Sequence, residues 1–245
     1  MSLEEALPDL SGGTAGWLST AIIGVPVSSA CLPDGRPVIV LGNVRGYAAF
    51  NHLQGDNPDH DYGDCGIVSC ADVLDQFGLR LTEADVIGHA IRCREAHLVT
   101  GHPERSGWTL PSEQARILCD YGVPARALRD QSADQLASAV QFGYGVIAGV
   151  NAGVLWTDSR FLADGQANHV VTVTGIARDP YDGGLEGFYV NDSADGRSAE
   201  YVSVHLMTTA FVRTGGFCVV TEIRHSQARE TPAPAAPPGR PQPAA

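Results

Sequence analysis

The sequence predicts an α+β fold in which an N-terminal helical half packs on a C-terminal antiparallel β-sheet half. Three observations support this. Between residues 65 and 143 the apolar residues recur at helical spacing, with capping residues at the starts and glycines at the stops. After Gly143, short β-branched or aromatic runs separated by Gly/Asp turns take over. Helices come first and strands afterwards, a pattern of two segregated layers rather than alternating βαβ units.

In order along the chain, residues 1–35 read as an irregular arm and Arg36–Gly42 as a first short strand. Gln54 to Gly63 is a polar loop rich in Asp, Gly and Pro. A helix follows, with Ile67, Cys70, Ala71, Leu74 and Phe77 on one face and Gly78 at its C-terminal stop. Thr82 with Asp85 forms a capping-box pattern for a second helix running to about Ala96. The Gly107-Trp108-Thr109 loop leads to a third helix, Pro111 to Tyr121, and Ser132 with Gln135 caps a fourth that ends at Gly143. The expected strands are Val146–Val150, Val170–Ile176, Gly187–Asn191, Glu200–Val204 and Phe217–Ile223. One domain therefore spans 36–224. The tail, 225–245, turns to Pro and Ala from Ser226 onward and is expected to be disordered.

With 245 residues, 44% of them hydrophobic, the chain can bury one sizeable core. A formal net charge of −12 argues against nucleic-acid or anionic-membrane partners, which favour a basic surface. Trp17 to Val27 is too short and too interrupted by Gly24 and Pro26 to span a bilayer. The acidic start lacks a signal-peptide pattern, and the six cysteines lack CxxC pairs or the density of a disulfide scaffold. Reduced thiols in a cytoplasmic protein, or one exported without a classical signal peptide, are the expectation.

Two distant segments carry the chemistry. Tyr62-Gly63-Asp64-Cys65-Gly66 opens the first helix, where unpaired backbone N–H groups and the helix dipole favour a thiolate and a developing oxyanion. Asn168-His169-Val170-Val171 opens a strand, which places an imidazole at a sheet edge. A later strand ends in Asn191-Asp192, and either side chain can orient the imidazole through its second nitrogen. A cysteine is often simply a buried residue, a histidine at a strand start a satisfied polar end, and Asn-Asp a turn. The three together, in the order Cys, His, Asn/Asp, point to a nucleophile, its base and an orienting group.

The set Gly63-Asp64-Cys65-Gly66, Gly107-Trp108-Thr109, Tyr144-Gly145-Val146-Ile147, His169-Val170-Val171 and Tyr189-Val190-Asn191-Asp192-Ser193 resembles papain-like cysteine peptidases. The likeness is to the C39-like branch, over about residues 36–223. The resemblance implies a papain-like fold, no cofactor, a peptide or protein substrate, Cys65 as nucleophile and His169 as base. It favours Asp192 as orienting residue; Ser193 stands where the family usually has Pro, so Asn191 remains a candidate. The family also places an oxyanion glutamine a few residues before the nucleophile. Here Asp59, His60 and Asp61 occupy those positions, a carboxylate would repel an oxyanion, and Gln54 is the upstream candidate.

The same apparatus supports deamidation or acyl transfer, and a catalytically silent peptide-binding module is the alternative of another class. Other patterns are weaker. His89, Cys93 and His97 at i, i+4 and i+8 resemble a metal-ligand face but also flank the apolar stripe of their helix, and no metal is assigned. Asp56–Asp61 lacks the glycine and distal Glu of a calcium loop. Leu3, Leu7, Leu10 and Gly12-Gly13 loosely resemble a double-glycine leader. Trp108, Trp156 and Phe161 are candidates for lining a pocket or for packing.

Overall fold

The computed structural model describes residues 24–228, so the leader-like pattern and the Pro/Ala tail beyond 228 lie outside the described residues. Its elements run β1 (Val27–Cys31), β2 (Pro37–Gly42), α1 (Val44–Ala48), α2 (Cys65–Gln76), α3 (Glu83–Cys93), α4 (Pro111–Asp120), β3 (Ala125–Leu128) and α5 (Ala133–Gln141). They continue through β4 (Tyr144–Val150), α6 (Ala152–Leu155), β5 (His169–Arg178), β6 (Leu185–Asp192), β7 (Arg197–Ser203), α7 (Val204–Ala210), β8 (Cys218–Arg224) and α8 (His225–Ala228).

The local signals act as their chemistry dictates. The Thr82 hydroxyl accepts from Asp85 N–H while the Asp85 carboxylate accepts from Thr82 N–H. Ser132 and Gln135 close the same box at the start of α5. Gly78, at φ +87°, takes the left-handed conformation that ends α2. Several expectations fail, among them the tail boundary, since His225–Ala228 form the short helix α8. Val27–Cys31, read as irregular arm, forms an edge strand paired with β2. The second helix stops at Cys93 rather than near Ala96, because Arg94 adopts a left-handed φ of 62°.

All eight strands form one antiparallel sheet in the order β1-β2-β5-β4-β8-β3, with β6 on the other edge of β5 and β7 beyond it. β5 is the hub. Its first half pairs with β4, from Val150↔His169 to Val146↔Val173, and its second half with β2. Along β4 the side chains alternate. Val146, Ala148 and Val150 join Leu136, Val140, Met207 and Phe211 beneath α5 and α7. Ile147, with Val219 of β8, joins Ile67, Leu74, Val86 and Leu118 beneath α2, α3 and α4. The expected two layers are therefore three: α5 and α7 cover the second sheet face, because period-2 alternation here leaves both faces apolar. The α+β class stands.

α2 is the buried axis of the helical half, with every residue from Gly66 to Gln76 buried. It packs on β5 and β4, so its first residue, Cys65, faces the first residue of β5. Among the described residues, no helix is long and apolar enough to cross a membrane.

Candidate active site

Cys65 is half-buried at the first position of α2, and His169 is 6% exposed at the first position of β5. The thiol lies next to the His169 ring and faces the backbone N–H groups of Val170 and Gly66. On its far side the His169 ring reaches Asp192 at the end of β6, with Nε2 2.8 Å from Oδ1. Asp192 is fully buried. Trp156 Nε1 donates to its other oxygen at 2.7 Å, and Ala194 N–H donates to Oδ1 at 2.9 Å. The Trp156 ring lies against the imidazole, centroids 5.1 Å apart.

These contacts shift the titrations in one direction. Burial alone pushes the Cys65 thiol up; the hydrogen bond and charge of His169, aided by the two N–H groups, outweigh it and hold the thiol below its ordinary value. Burial alone pulls His169 down, but its bonds to Asp192 and Cys65 raise it to about 10. Burial likewise opposes ionisation of Asp192, and His169, then Trp156 and Ala194, hold that carboxyl below the usual carboxylate range. The arrangement favours thiolate, imidazolium and carboxylate in a row.

Asp192, not Asn191, meets the imidazole. Asn191 turns to the other side, its Nδ2 donating to Tyr47 O at 2.8 Å and its Oδ1 accepting from Ala199 N–H. Gln54 is held outside the cleft. Its Nε2 donates to Tyr62 O at 2.8 Å, its Oε1 accepts from Ser193 Oγ, and its own N–H donates to Ser193 O. Gln54 thus ties the end of β6 to the loop before Cys65 and is not brought to the thiol.

The Gly63-Asp64-Cys65-Gly66 motif has a steric explanation. Gly63 N–H donates to Ser106 O at 2.8 Å, and a Cβ on Gly63 would stand 2.6 Å from that oxygen. A Cβ on Gly66 would meet Thr109 Oγ1 and stand 2.5 Å from Gln114 Nε2. The Ser106–Thr109 loop can lie over the start of α2 only because both positions lack side chains.

Asp64 brings in a group that sequence reasoning missed. It is fully buried next to Glu83, itself 2% exposed at the start of α3. Glu83 accepts from Gly55 N–H, Asp56 N–H and Asn57 Nδ2, and Asn57 Nδ2 also reaches Asp64 Oδ2 at 3.3 Å. Burial first, then hydrogen bonding to Glu83 and the Glu83 and Cys65 charges, raise the Asp64 carboxyl to about 10. Asp64 therefore resists ionisation beside the thiol, and Asn57 links it to Glu83. No motif marks this pair, since Glu83 stands nineteen residues downstream as an ordinary first-turn glutamate.

The site opens on a cleft of about 420 Å³, floored by Cys65, Gly66 and His169 and walled by Trp108, Leu110, Pro111, Gln114 and Phe217. Trp108 is fixed by His97, stacked on it at 3.8 Å, and His97 Nε2 lies 2.9 Å from Glu113 Oε1. Trp156 orients Asp192 and packs edge-on against Phe161, so neither is part of the cleft wall. The acidic 54–63 loop contributes only Gly63 to that wall. A larger cavity of about 690 Å³ lies at the other end of α2, beside Phe50, Phe77 and Arg80, and has no cysteine among the described residues that line it. Of the weak His89, Cys93 and His97 pattern, His89 and Cys93 stay together while His97 lies beyond the end of α3.

No family model matches the chain, and no curated protein matches it. Among solved structures the chain is similar to one described as a "putative C39-like peptidase from Bacillus anthracis". The two share 17% identity over 72% of this chain and 96% of that chain, with a TM-score of 0.50. That likeness is distant and concerns the fold alone. The architecture is a papain-like α+β fold, structurally related at a distance to a C39-like peptidase.

Proposed function

We propose that the protein is a thiol-dependent hydrolase that cleaves a peptide or amide bond through Cys65, His169 and Asp192. One observation carries this reading: a helix-start thiol next to an imidazole whose far nitrogen is bonded to a buried, donor-rich carboxylate, at the floor of an apolar cleft. The Cys65 thiolate attacks the carbonyl carbon, and the oxyanion forms where the first N–H groups of α2 point. The His169 imidazolium gives its proton to the leaving amine, leaving an acyl-thioester on Cys65. Neutral His169 then takes a proton from water as the hydroxyl attacks the thioester, and keeps it as the sulfur departs as thiolate, which restores the ion pair. Asp192 stays ionised and fixes the ring through Nε2. Trp108, Leu110, Pro111 and Phe217 favour an apolar side chain near the scissile bond, in keeping with a peptide or protein substrate.

A degenerate peptide mixture incubated with the protein and read by mass spectrometry tests this. Cleavage products are expected with wild type and not with Cys65→Ala or His169→Ala. Absence of both products and covalent acyl adducts from a folded wild-type protein would overturn it. One observation favours the second reading, a silent peptide-binding module: Gln54 is engaged with Tyr62 and Ser193, so no glutamine near the expected position serves the oxyanion. In that case the same peptides bind the cleft and emerge uncut.

A further inference from the structure

α3 and α4 meet at a second constellation, away from the thiol. His89 and Cys93 stand four residues apart and so share a face of α3. Asp120 is the last residue of α4 and points at both. His89 Nε2 lies 2.8 Å from Asp120 Oδ2 and 3.5 Å from Cys93 Sγ. All three donor atoms lie within 4.8 Å of one another.

We propose that His89, Cys93 and Asp120 form a three-ligand site for a divalent ion of the zinc type, with its fourth position open to solvent. An exposed His–Asp pair alone is an unremarkable surface contact of small energy. What distinguishes this one is the sulfur that closes the triangle. A thiolate and an imidazole select a borderline-soft metal over calcium or magnesium, which take oxygen shells. Bonds of about 2.0–2.3 Å in a tetrahedron set ligand atoms roughly 3.3–3.7 Å apart. The Cys93–His89 spacing already meets that, and the His89–Asp120 contact needs to open by only about half an ångström.

The surroundings suit the ligand set. The Tyr121 ring lies 4.9 Å from the His89 ring and is itself tethered by its hydroxyl to Asp85 O, which restrains the imidazole. Cys119, next to Asp120, is turned away to the backbone of Ala125 and does not compete. The site is separate from the proposed catalytic one. The cleft touches α4 at Pro111 and Gln114, and Asp120 is six residues beyond Gln114 along that helix, about 9 Å at 1.5 Å per residue. Bound metal would clasp α3 to α4, the two helices that flank α2.

The test uses Co²⁺ as a spectroscopic probe on the full chain carrying Cys65→Ser, which keeps the Cys65–His169 pair from binding it. The expected result is one Co²⁺ per chain, with a thiolate-to-cobalt charge-transfer band and tetrahedral d–d bands, both bleached by one equivalent of Zn²⁺. Adding Cys93→Ser is expected to abolish the charge-transfer band. Asp120→Asn should weaken binding roughly 10-fold or more, and His97→Ala should leave it unchanged. Cys93 is exposed, so its variant should fold, and an unchanged thermal midpoint without metal checks that. A missing charge-transfer band, or one that survives Cys93→Ser, overturns the proposal.

Discussion

Replacing His169 with alanine gives the sharpest test of the thiolate–imidazolium pair, because burial and the imidazole act on Cys65 in opposite directions. Without His169 only burial and two backbone N–H groups remain, so the thiol should return to about 8.5 or above. At about pH 6 such a thiol is ionised in fewer than roughly one molecule in 300. If His169 holds the sulfur as thiolate at that pH, its removal should slow alkylation on the order of 100-fold. A lower-pKa thiolate is intrinsically somewhat less nucleophilic, which trims the factor without erasing it. Near pH 9 the gap should shrink to a few-fold. The assay is a pulse of iodoacetamide across the pH range, read by mass spectrometry at each cysteine. The exposed Cys31 and Cys119 serve as unassisted references. Burial pushes Cys70 well above the ordinary thiol range and Cys218 to about 12, so neither should label in the folded protein. Equal labelling of Cys65 and Cys31 near pH 6, or labelling indifferent to His169→Ala in a folded variant, would refute the reasoning.

Four further outcomes are expected. The alkaline limb of kcat/KM should follow loss of the His169 proton, near pH 10 rather than near 7, since its raised value keeps the imidazolium populated until then. Asp64→Asn should gain thermal stability relative to wild type as pH rises from about 5 to 8. The native Asp64 carboxyl, raised to about 10, retains a proton that the unfolded chain releases above about 3.9, a cost that grows with pH and that the amide lacks; a pH-independent difference in melting temperature would contradict it. Trp156→Phe should cost about 1–3 kcal/mol in urea unfolding and lower kcat/KM, by removing a buried donor from Asp192. No change in either would disprove the orienting role. Gly63→Ala should destabilise by about 1–3 kcal/mol, read as the shift in denaturation midpoint, because its Cβ meets the Ser106 carbonyl.

Where sequence and structure diverge, the causes are local. The four long helices were legible because capping boxes and left-handed glycines act within a few residues. β3 was not: Ala125-Arg126-Ala127-Leu128 has no β-branched residue, and its pairing with β8 alone makes it a strand. The start of α7 was read as the end of a strand, and the deciding event is the Ser203 side chain capping Leu206 N–H. The choice between Asn191 and Asp192 was open because the β6–β7 register shifts between Val190 and Asp192, so strict alternation cannot say which faces the imidazole. The i, i+4, i+8 pattern breaks at His97 because Arg94 ends the helix one position after Cys93.

The position of Gln54 matters most for what the cleft can do. A side-chain amide facing the oxyanion would have to be held over the first turn of α2, and this chain spends the one available upstream on two anchors, the Tyr62 carbonyl and the Ser193 hydroxyl. The loop it anchors is fixed a second time by Glu83, which takes three N–H donors from residues 55–57, and Asn57 links that carboxyl to Asp64 beside Cys65. Keeping Asp64 protonated matters electrostatically: an ionised carboxylate next to Cys65 would raise the thiol, opposing His169. The buried acid pair therefore holds the loop without placing a negative charge against the thiolate. In the proposed reaction, oxyanion stabilisation is left to the N–H groups at the start of α2.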